Sequence, residues 1–218
     1  MKIDIVTLFP KMFVGPFDES MLWKAKDKGL VEINIHDLRK WGEGERKTVD
    51  DKPYGGGPGM LLRVDIVDAC LKDLKTSQSK IILMDAGGEK FSQQKALNLS
   101  QEKHLIILCG HYEGFDYRVH ENLVDEIFSI GDFVLTGGEL PAMMVTDAIL
   151  RLVPGVLGAG EYATINESHT EVGIIEHPQY TRPDNYNGWE VPEILKTGNH
   201  PQIEKWRKEE SSKRSKID

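Results

Sequence analysis

The residues best placed to do chemistry in this chain of 218 residues sit where apolar runs end in glycine. One such run closes with Cys109-Gly110-His111-Tyr112-Glu113-Gly114. Its Glu113 is either a carboxylate that moves a proton or one that fixes a turn by accepting backbone amides. Cys109 and His111 stand two apart, but no second pair has metal spacing, so no metal site is expected. The seven histidines are scattered, and none stands beside a Ser or Cys in a nucleophile turn. A second stretch runs Ser129-Ile130-Gly131-Asp132-Phe133-Val134-Leu135-Thr136-Gly137-Gly138-Glu139-Leu140-Pro141-Ala142. Glu139 and Pro141 mark the first turn of a helix, where an acid and a proline are favoured. Chain that is extended, then turned, then helical either offers bare backbone amides and carbonyls to a small molecule or makes an ordinary joint. A third stretch, Asp50-Asp51-Lys52-Pro53-Tyr54-Gly55-Gly56-Gly57-Pro58-Gly59-Met60, is too particular for a spacer. Its glycines suit a backbone anion nest, yet it lacks the lysine of a phosphate loop.

The elements that must position these stretches read as alternating strands and helices. Lys2 to Phe9 and Val31 to Asp37 are strands, with a helix from Ser20 to Lys28 between them, stopped by Gly29. Arg39 to Gly59 is a long polar segment with six glycines and two prolines, read as a loop of the kind that is either functional or disordered. The helix after it aligns Leu61, Val64, Val67, Cys70, Leu71 and Leu74 on one stripe. Lys80 to Asp85 and His104 to Cys109 are continuous apolar strands of the buried parallel kind, and Val124 to Ser129 is a third. Ala86-Gly87-Gly88 is expected to turn the chain into a helix from Ser92 to Gln101, and Met143 to Leu152 is a further helical run. Alternation of this kind predicts an α/β chain with a mainly parallel sheet, whose carboxyl ends gather on one edge where ligands bind. No Gly-x-Gly-x-x-Gly follows a strand and no Gly-x-x-x-x-Gly-Lys-Ser/Thr is present, which sets aside the common nucleotide sites. Glycine-rich strand ends without a phosphate motif suit a ligand whose polar parts are an adenine and an amino acid.

Composition bounds the rest. A net charge of −8 argues against a protein that coats itself with nucleic acid, while leaving room for local basic patches. Cys70 and Cys109, far apart and flanked by apolar residues, read as buried thiols in a reducing compartment. Met1 leads straight into a strand, and no apolar run is long enough to span a bilayer, so the expected setting is cytoplasmic with no membrane partner. Residues 159–172 are polar without a period and read as a linker. Residues 173–218 form a small helical C-terminal domain, ending in a helix from Pro201 to Arg214, and residues 1–158 form the main domain.

Long motifs in a fixed order then carry a resemblance. Thr7-Leu8-Phe9-Pro10, Thr48-Val49-Asp50-Asp51 through Met60, Cys109-Gly110 with Tyr112-Glu113-Gly114, Ser129 through Ala142, Pro154-Gly155-Val156-Leu157-Gly158, Tyr180-Thr181-Arg182-Pro183 and Gly198-Asn199-His200 succeed one another over nearly the whole chain. Together they resemble the bacterial tRNA (guanine-N1)-methyltransferase family of the SPOUT class, the TrmD family. The resemblance implies a homodimer with a deep trefoil knot. It also implies methyl transfer from S-adenosylmethionine to N1 of the guanine at tRNA position 37, with tRNA as partner. The cofactor-binding residues it implies are Leu83, Met84, Asp85 and Ala86; Gly110, Tyr112, Glu113 and Gly114; and Ile130, Gly131, Asp132, Phe133, Val134, Leu135, Gly137, Gly138 and Pro141. Asp50, Tyr54, Gly55, Gly56, Gly57, Pro58 and Gly59 are implied to receive the guanine.

Guanine N1 carries a proton at neutral pH, so a carboxylate must remove it, and a cation should offset charge growing on O6. By the resemblance, Arg151 is that cation, with a helix-terminal role as its alternative. The carboxylate falls on Glu167, with Glu161 and Glu171 as alternatives. The chain departs from the family here: Glu167-Ser168-His169 stands for Asp-Ser-Phe, with one extra residue before Gly173. Asp85-Ala86 stands where Ser-Pro is common, and His111 where an arginine is. The last domain stops at Asp218, shorter than in family members. No magnesium site is readable in the sequence.

Overall fold

The computed structural model describes residues 1–158, 164–165 and 167–215. The chain divides into two compact units, Met1–Gly160 and Glu161–Asp218. In the first, strands β1 (Lys2–Thr7) and β2 (Glu32–Asp37) flank helix α1 (Ser20–Asp27). A two-residue ribbon, β3 (Asp50–Asp51) with β4 (Leu61–Leu62), precedes helix α2 (Val64–Leu74). Strand β5 (Ser79–Lys90), helix α3 (Gln93–Leu99), strand β6 (His104–Cys109), helix α4 (Tyr117–Asn122), strand β7 (Glu126–Ser129) and helix α5 (Glu139–Leu150) complete it. The five long strands form one parallel sheet in the order β2-β1-β6-β5-β7. All five are joined through helical crossovers or long connections, as parallel pairing demands.

Alternate residues of the central strands feed two cores. Ile3, Ile5, Ile82, Met84, Leu105 and Ile107 pack with apolar residues of α1, α3 and α5, while Val6, Ile81, Leu83, Ile106 and Leu108 pack with those of α2 and α4. Both faces are therefore covered, which is why β6 is buried from His104 to Cys109 and reads as an unbroken apolar run. Cys70 and Cys109 are free and buried, and burial pushes the Cys70 thiol up to about 12.

Two expectations are corrected. Ala86-Gly87-Gly88 does not turn the chain: β5 runs on to Lys90, with a bulge at residues 85–88. Both Met84 and Glu89 pair with Phe128, so the extra residues are accommodated without ending the strand. Gly88 permits it, because a Cβ there would lie 2.7 Å from the backbone of Ile127. The polar segment from Arg39 to Gly59 is also more ordered than a loop, carrying a 3-10 turn at Leu38–Trp41, a bridge between Glu43 and Thr48, and β3.

In the second unit, β8 (Asn185–Tyr186) and β9 (Trp189–Glu190) form a hairpin around Asn187-Gly188, both at positive φ as a tight hairpin turn requires. The short α6 (Glu193–Lys196) leads to α7 (His200–Arg214), which begins one residue before the expected Pro201. Asn199 caps it, its side chain accepting from Gln202 N at 3.4 Å.

One buried charge lies within the sheet. Asp4 on β1 has no exposed surface. Its carboxylate accepts from His36 Nε2 (2.9 Å), Lys2 Nζ (2.9 Å), Asn34 Nδ2 (3.0 Å) and His104 Nε2 (2.7 Å). Burial acts to raise this carboxyl, but those four donors outweigh it and hold the group below the ordinary carboxylate range. A lowered folded-state value means that the stabilisation is complete above the unfolded value of about 3.9 and is lost as pH falls through and below it. Asp4→Asn should therefore cost about 3 kcal/mol at neutral pH and flatten the acid limb of the stability profile. Urea denaturation from pH 7 down to pH 3 checks both, and an unchanged acid slope in the variant would remove Asp4 as its source.

Candidate active site

The site is built where β5, β6 and β7 end. After β6 the chain passes through Gly110 to Gly114, and after β7 it returns as the loop of residues 130–138 before α5. Gly138 joins the two. Its N–H donates to Gly110 O at 2.8 Å, and a Cβ on it would stand 2.8 Å from both Cys109 Cα and Gly110 N. Only a glycine lets these backbones approach so closely. Gly138 is also the N-cap of α5, so the loop is clamped at the helix start.

Beside it, Glu139 is almost fully buried. Its Oε1 accepts from Thr7 Oγ1 at 2.8 Å, and that hydroxyl in turn accepts from Phe9 N at 2.8 Å. His111 Nδ1 stands 3.9 Å from Glu139 Oε2 without a hydrogen-bond partner, and the His111 ring packs on Phe9 at 4.6 Å between centroids. A carboxylate in the first turn of a helix is favoured by the helix dipole. Glu139 thus ties β1, α5 and the β6 turn into one frame.

The result is a cavity of about 240 Å³ at the carboxyl edge of the sheet. Met84, Asp85 and Ala86 line it from β5, and Gly110, Tyr112, Glu113 and Gly114 from the β6 turn. Ile130, Phe133, Val134, Leu135, Gly137, Gly138 and Pro141 line it from the last loop and α5. Of the residues expected here, Leu83 is fully buried in the sheet, while Gly131 and Asp132 fall outside the lining. Asp132 instead meets Lys90 Nζ at 2.5 Å. The structure adds His111, Phe115, Phe128, Ser129 and Thr136 to the wall. His111, Ser129 and Thr136 are immediate chain neighbours of expected site residues, and that contiguity is the signal in the sequence that points to them. Among the described residues no lysine or arginine lines the cavity, whereas Asp85 and Glu113 supply two carboxylates. Asp85 is held in place by Gly87 N at 2.7 Å and His120 Nε2 at 3.1 Å.

The glycine loop is anchored to the same turn. Glu113 N donates to Met60 O (3.0 Å), Leu62 N to Gly114 O (2.9 Å) and Asp116 N to Leu62 O (2.9 Å). The turn is braced by the Glu113 backbone N–H and by packing of its side chain on Gly59, not by the carboxylate accepting backbone amides. Gly59 shows the closeness: a Cβ would lie 2.3 Å from Glu113 Cγ. Asp50 sits half-buried on β3, Tyr54 is fully exposed, and Gly55, Gly56, Gly57 and Gly59 all have positive φ. Arg151 is the half-buried C-cap of α5, its N–H donating to Asp147 O at 3.1 Å. In the second unit Glu167 is half-buried and Glu171 exposed, and Glu161 lies outside the described residues. Among the described residues no cluster of three His, Cys, Asp or Glu side chains has the geometry to hold a metal ion.

A parallel sheet covered on both faces, with a backbone-walled and acid-lined cavity at its carboxyl edge, defines a chain that handles a small polar ligand. The family model described as tRNA (Guanine-1)-methyltransferase TrmD matches residues 1–218, and the chain belongs to that family. It is 50% identical over 215 residues to a tRNA (guanine-N(1)-)-methyltransferase of Dictyoglomus turgidum, covering 99% of this chain and 86% of that protein. The Bacillus subtilis protein of that name is 50% identical over 218 residues (99% and 89%), and one from Dehalococcoides mccartyi is 49% identical over 218 residues (99% and 87%).

The glycines separate strain from contact. Gly55→Ala adds a Cβ that meets nothing within 4 Å and should cost only left-handed strain, about 1 kcal/mol. Gly59→Ala adds the same strain and must also displace Glu113, so its cost should be larger by about 1–3 kcal/mol. Paired urea denaturation curves test this, and equal losses would show that Glu113 is not packed on Gly59.

Proposed function

We propose that the protein transfers a methyl group from S-adenosylmethionine to N1 of the guanine at position 37 of tRNA. The observation that carries the reading is the backbone-walled cavity at the ends of β5, β6 and β7, in a chain that matches the tRNA (guanine-1)-methyltransferase family along its whole length. The cavity suits the donor chemically. Among the described residues two carboxylates and no lysine or arginine line it, which complements a cationic ligand, and apolar Ile130, Phe133, Val134 and Leu135 offer surface to a purine. When bound, S-adenosylmethionine supplies an electrophilic methyl group that needs no further activation.

What remains is to make the guanine nucleophilic, and that falls to side chains. Glu167 takes the N1 proton as the general base, and Arg151 offsets the negative charge that builds on O6. Glutamate carries one methylene more than the family's aspartate, so the extra residue before Gly173 accompanies a base with a longer reach. Asp50, Tyr54 and the Gly55–Gly59 loop receive the guanine; exposed Tyr54 offers a stacking face. Residues 159–172 serve as a linker and 173–218 as a small tRNA-binding domain, and the main domain carries the trefoil knot of its class. A homodimer is supported by an apolar groove of about 540 Å³ on the first unit, where Leu135, Leu140 and Met144 are exposed beside Phe17 and Met143. The buried free thiols fit a reducing cytoplasmic setting.

Glu167→Gln should lower kcat by about 10²- to 10⁴-fold on a tRNA with guanine at positions 36 and 37, while leaving S-adenosylmethionine affinity unchanged. Arg151→Ala should lower kcat by about 10²-fold or more. An unmodified protein that binds the donor yet methylates no tRNA would overturn the reading. A fully active Glu167→Gln variant would overturn only the assignment of the base.

A further inference from the structure

The segment that bears Glu167 is folded back on itself and fastened to the last helix of its own unit. Thr170 N donates to Glu167 O at 3.2 Å and Ile174 N to Glu171 O at 3.1 Å, which makes two successive turns. His169 and Gly173 take the positive φ values that these turns need. His169 N then donates to Ile174 O at 2.8 Å, and Glu176 N to Ser168 Oγ at 3.0 Å. Residues 167–169 and 174–176 therefore lie side by side as the two arms of a loop.

One arm is held by serines. Ser211 Oγ donates to Ile175 O at 2.6 Å, and Ser215 Oγ accepts from Ile175 N at 2.8 Å while donating to Ser211 O at 2.8 Å. The two hydroxyls are four residues apart, one helical turn, and so share a face of α7. Between them they satisfy both backbone polar groups of Ile175, doing for that residue what a neighbouring strand would do. Arg214 Nη1 adds a bond to Glu176 O at 2.7 Å. Ser211 and Ser215 are half-buried against this arm, whereas Ser212, Lys213 and Arg214 are exposed.

We infer that Ser211 and Ser215 are positioning residues for the methyl transfer: they fix the register of residues 174–176, which through Ser168 sets where Glu167 stands. This rests on Glu167 being the proton acceptor. The serines touch no reacting atom; their effect is on the orientation of a carboxylate, and a misplacement of about 1 Å at such a group can cost up to 10²-fold in rate. A chain that uses glutamate where its family uses aspartate has one more rotatable bond to control, which raises the value of a fixed backbone beneath it.

The test is the Ser211→Ala/Ser215→Ala variant of the full chain, beside Ser211→Thr/Ser215→Thr, which keeps both hydroxyls. The alanine pair should lower kcat on tRNA by about 10-fold or more, with KM for tRNA and Kd for S-adenosylhomocysteine each within about twofold of the parent. Amide hydrogen exchange at Ile175 and Glu176 should quicken in the same variant, and the threonine pair should restore both readouts. Unchanged S-adenosylhomocysteine binding by calorimetry confirms that the first unit is folded. A kcat within twofold of the parent despite faster exchange would overturn the inference, as would a rise in KM for tRNA with kcat unchanged, which would place α7 in tRNA binding alone. Glu167→Gln, run alongside, separates the two readings. If it abolishes turnover while the alanine pair is fully active, the base stands and the clamp falls. If it is fully active, the base assignment fails, and a lowered kcat in the alanine pair then speaks for clamping of another carboxylate on the segment.

Discussion

The approach of Gly138 to the end of β6 is the constraint on which the cavity depends. Two backbones that meet at 2.8 Å with no side chain between them leave no freedom in how the last loop crosses the sheet edge. The loop can be rich in glycine and still be definite, because its entropy is curbed at one end by β7 and at the other by a hydrogen bond that also starts α5. Glu139 then extends the constraint inward, since its buried carboxylate, held by Thr7, brings β1 into the same frame. A ligand read by backbone groups needs such fixed peptides more than it needs a particular side chain.

Two buried carboxylates, Asp4 and Glu139, are handled in different ways. Asp4 gathers four donors, and each of its oxygens is shared between two of them. Such saturation is what makes a buried charge tolerable in a sheet. Glu139 has one close donor and a histidine nitrogen at 3.9 Å that is itself without a partner. The better-satisfied acid lies within the sheet, and the less-satisfied one lies behind the cavity wall, next to Gly138 and close to His111.

Much of this was legible in the sequence, for reasons that can be named. The strands His104–Cys109 and Lys80–Asp85 are buried on both faces and so lose the alternation that would blur their reading, which is why a parallel sheet could be expected. The Ser129–Ala142 stretch showed its character because glycines at close backbone approach and an acid at a helix start are local chemistry. Ala86-Gly87-Gly88 misled for an equally physical reason. Two adjacent glycines signal a turn locally, but here Gly88 serves a close approach to β7 within a bulge, and that partner is forty residues away in the chain. Leu83 is fully buried on the sheet face it shares with Ile81, and the lining of the cavity begins at Met84 and Asp85, the next two residues of the strand. The ribbon of Asp50–Asp51 with Leu61–Leu62 was hidden in a polar segment too short in strand character to show a period.

The second unit shows how little of a positioning device is visible before folding. Ser211 and Ser215 sit in a helical tail of charged residues, where serines at helical spacing read as solvated surface. Their meaning comes only from Ile175, whose two backbone groups would otherwise be left without partners on the side facing α7. A hydroxyl can do here what a charged side chain could not, because it both donates and accepts, and Ser215 uses both capacities at once. The main chain at Glu167 is held by Thr170 N, which donates to Glu167 O, and the next residue is tied to the opposite arm by Glu176 N, which donates to Ser168 Oγ. Catalytic groups on loops depend on such supports, because the loop's own residues cannot supply the rigidity that a strand or helix would.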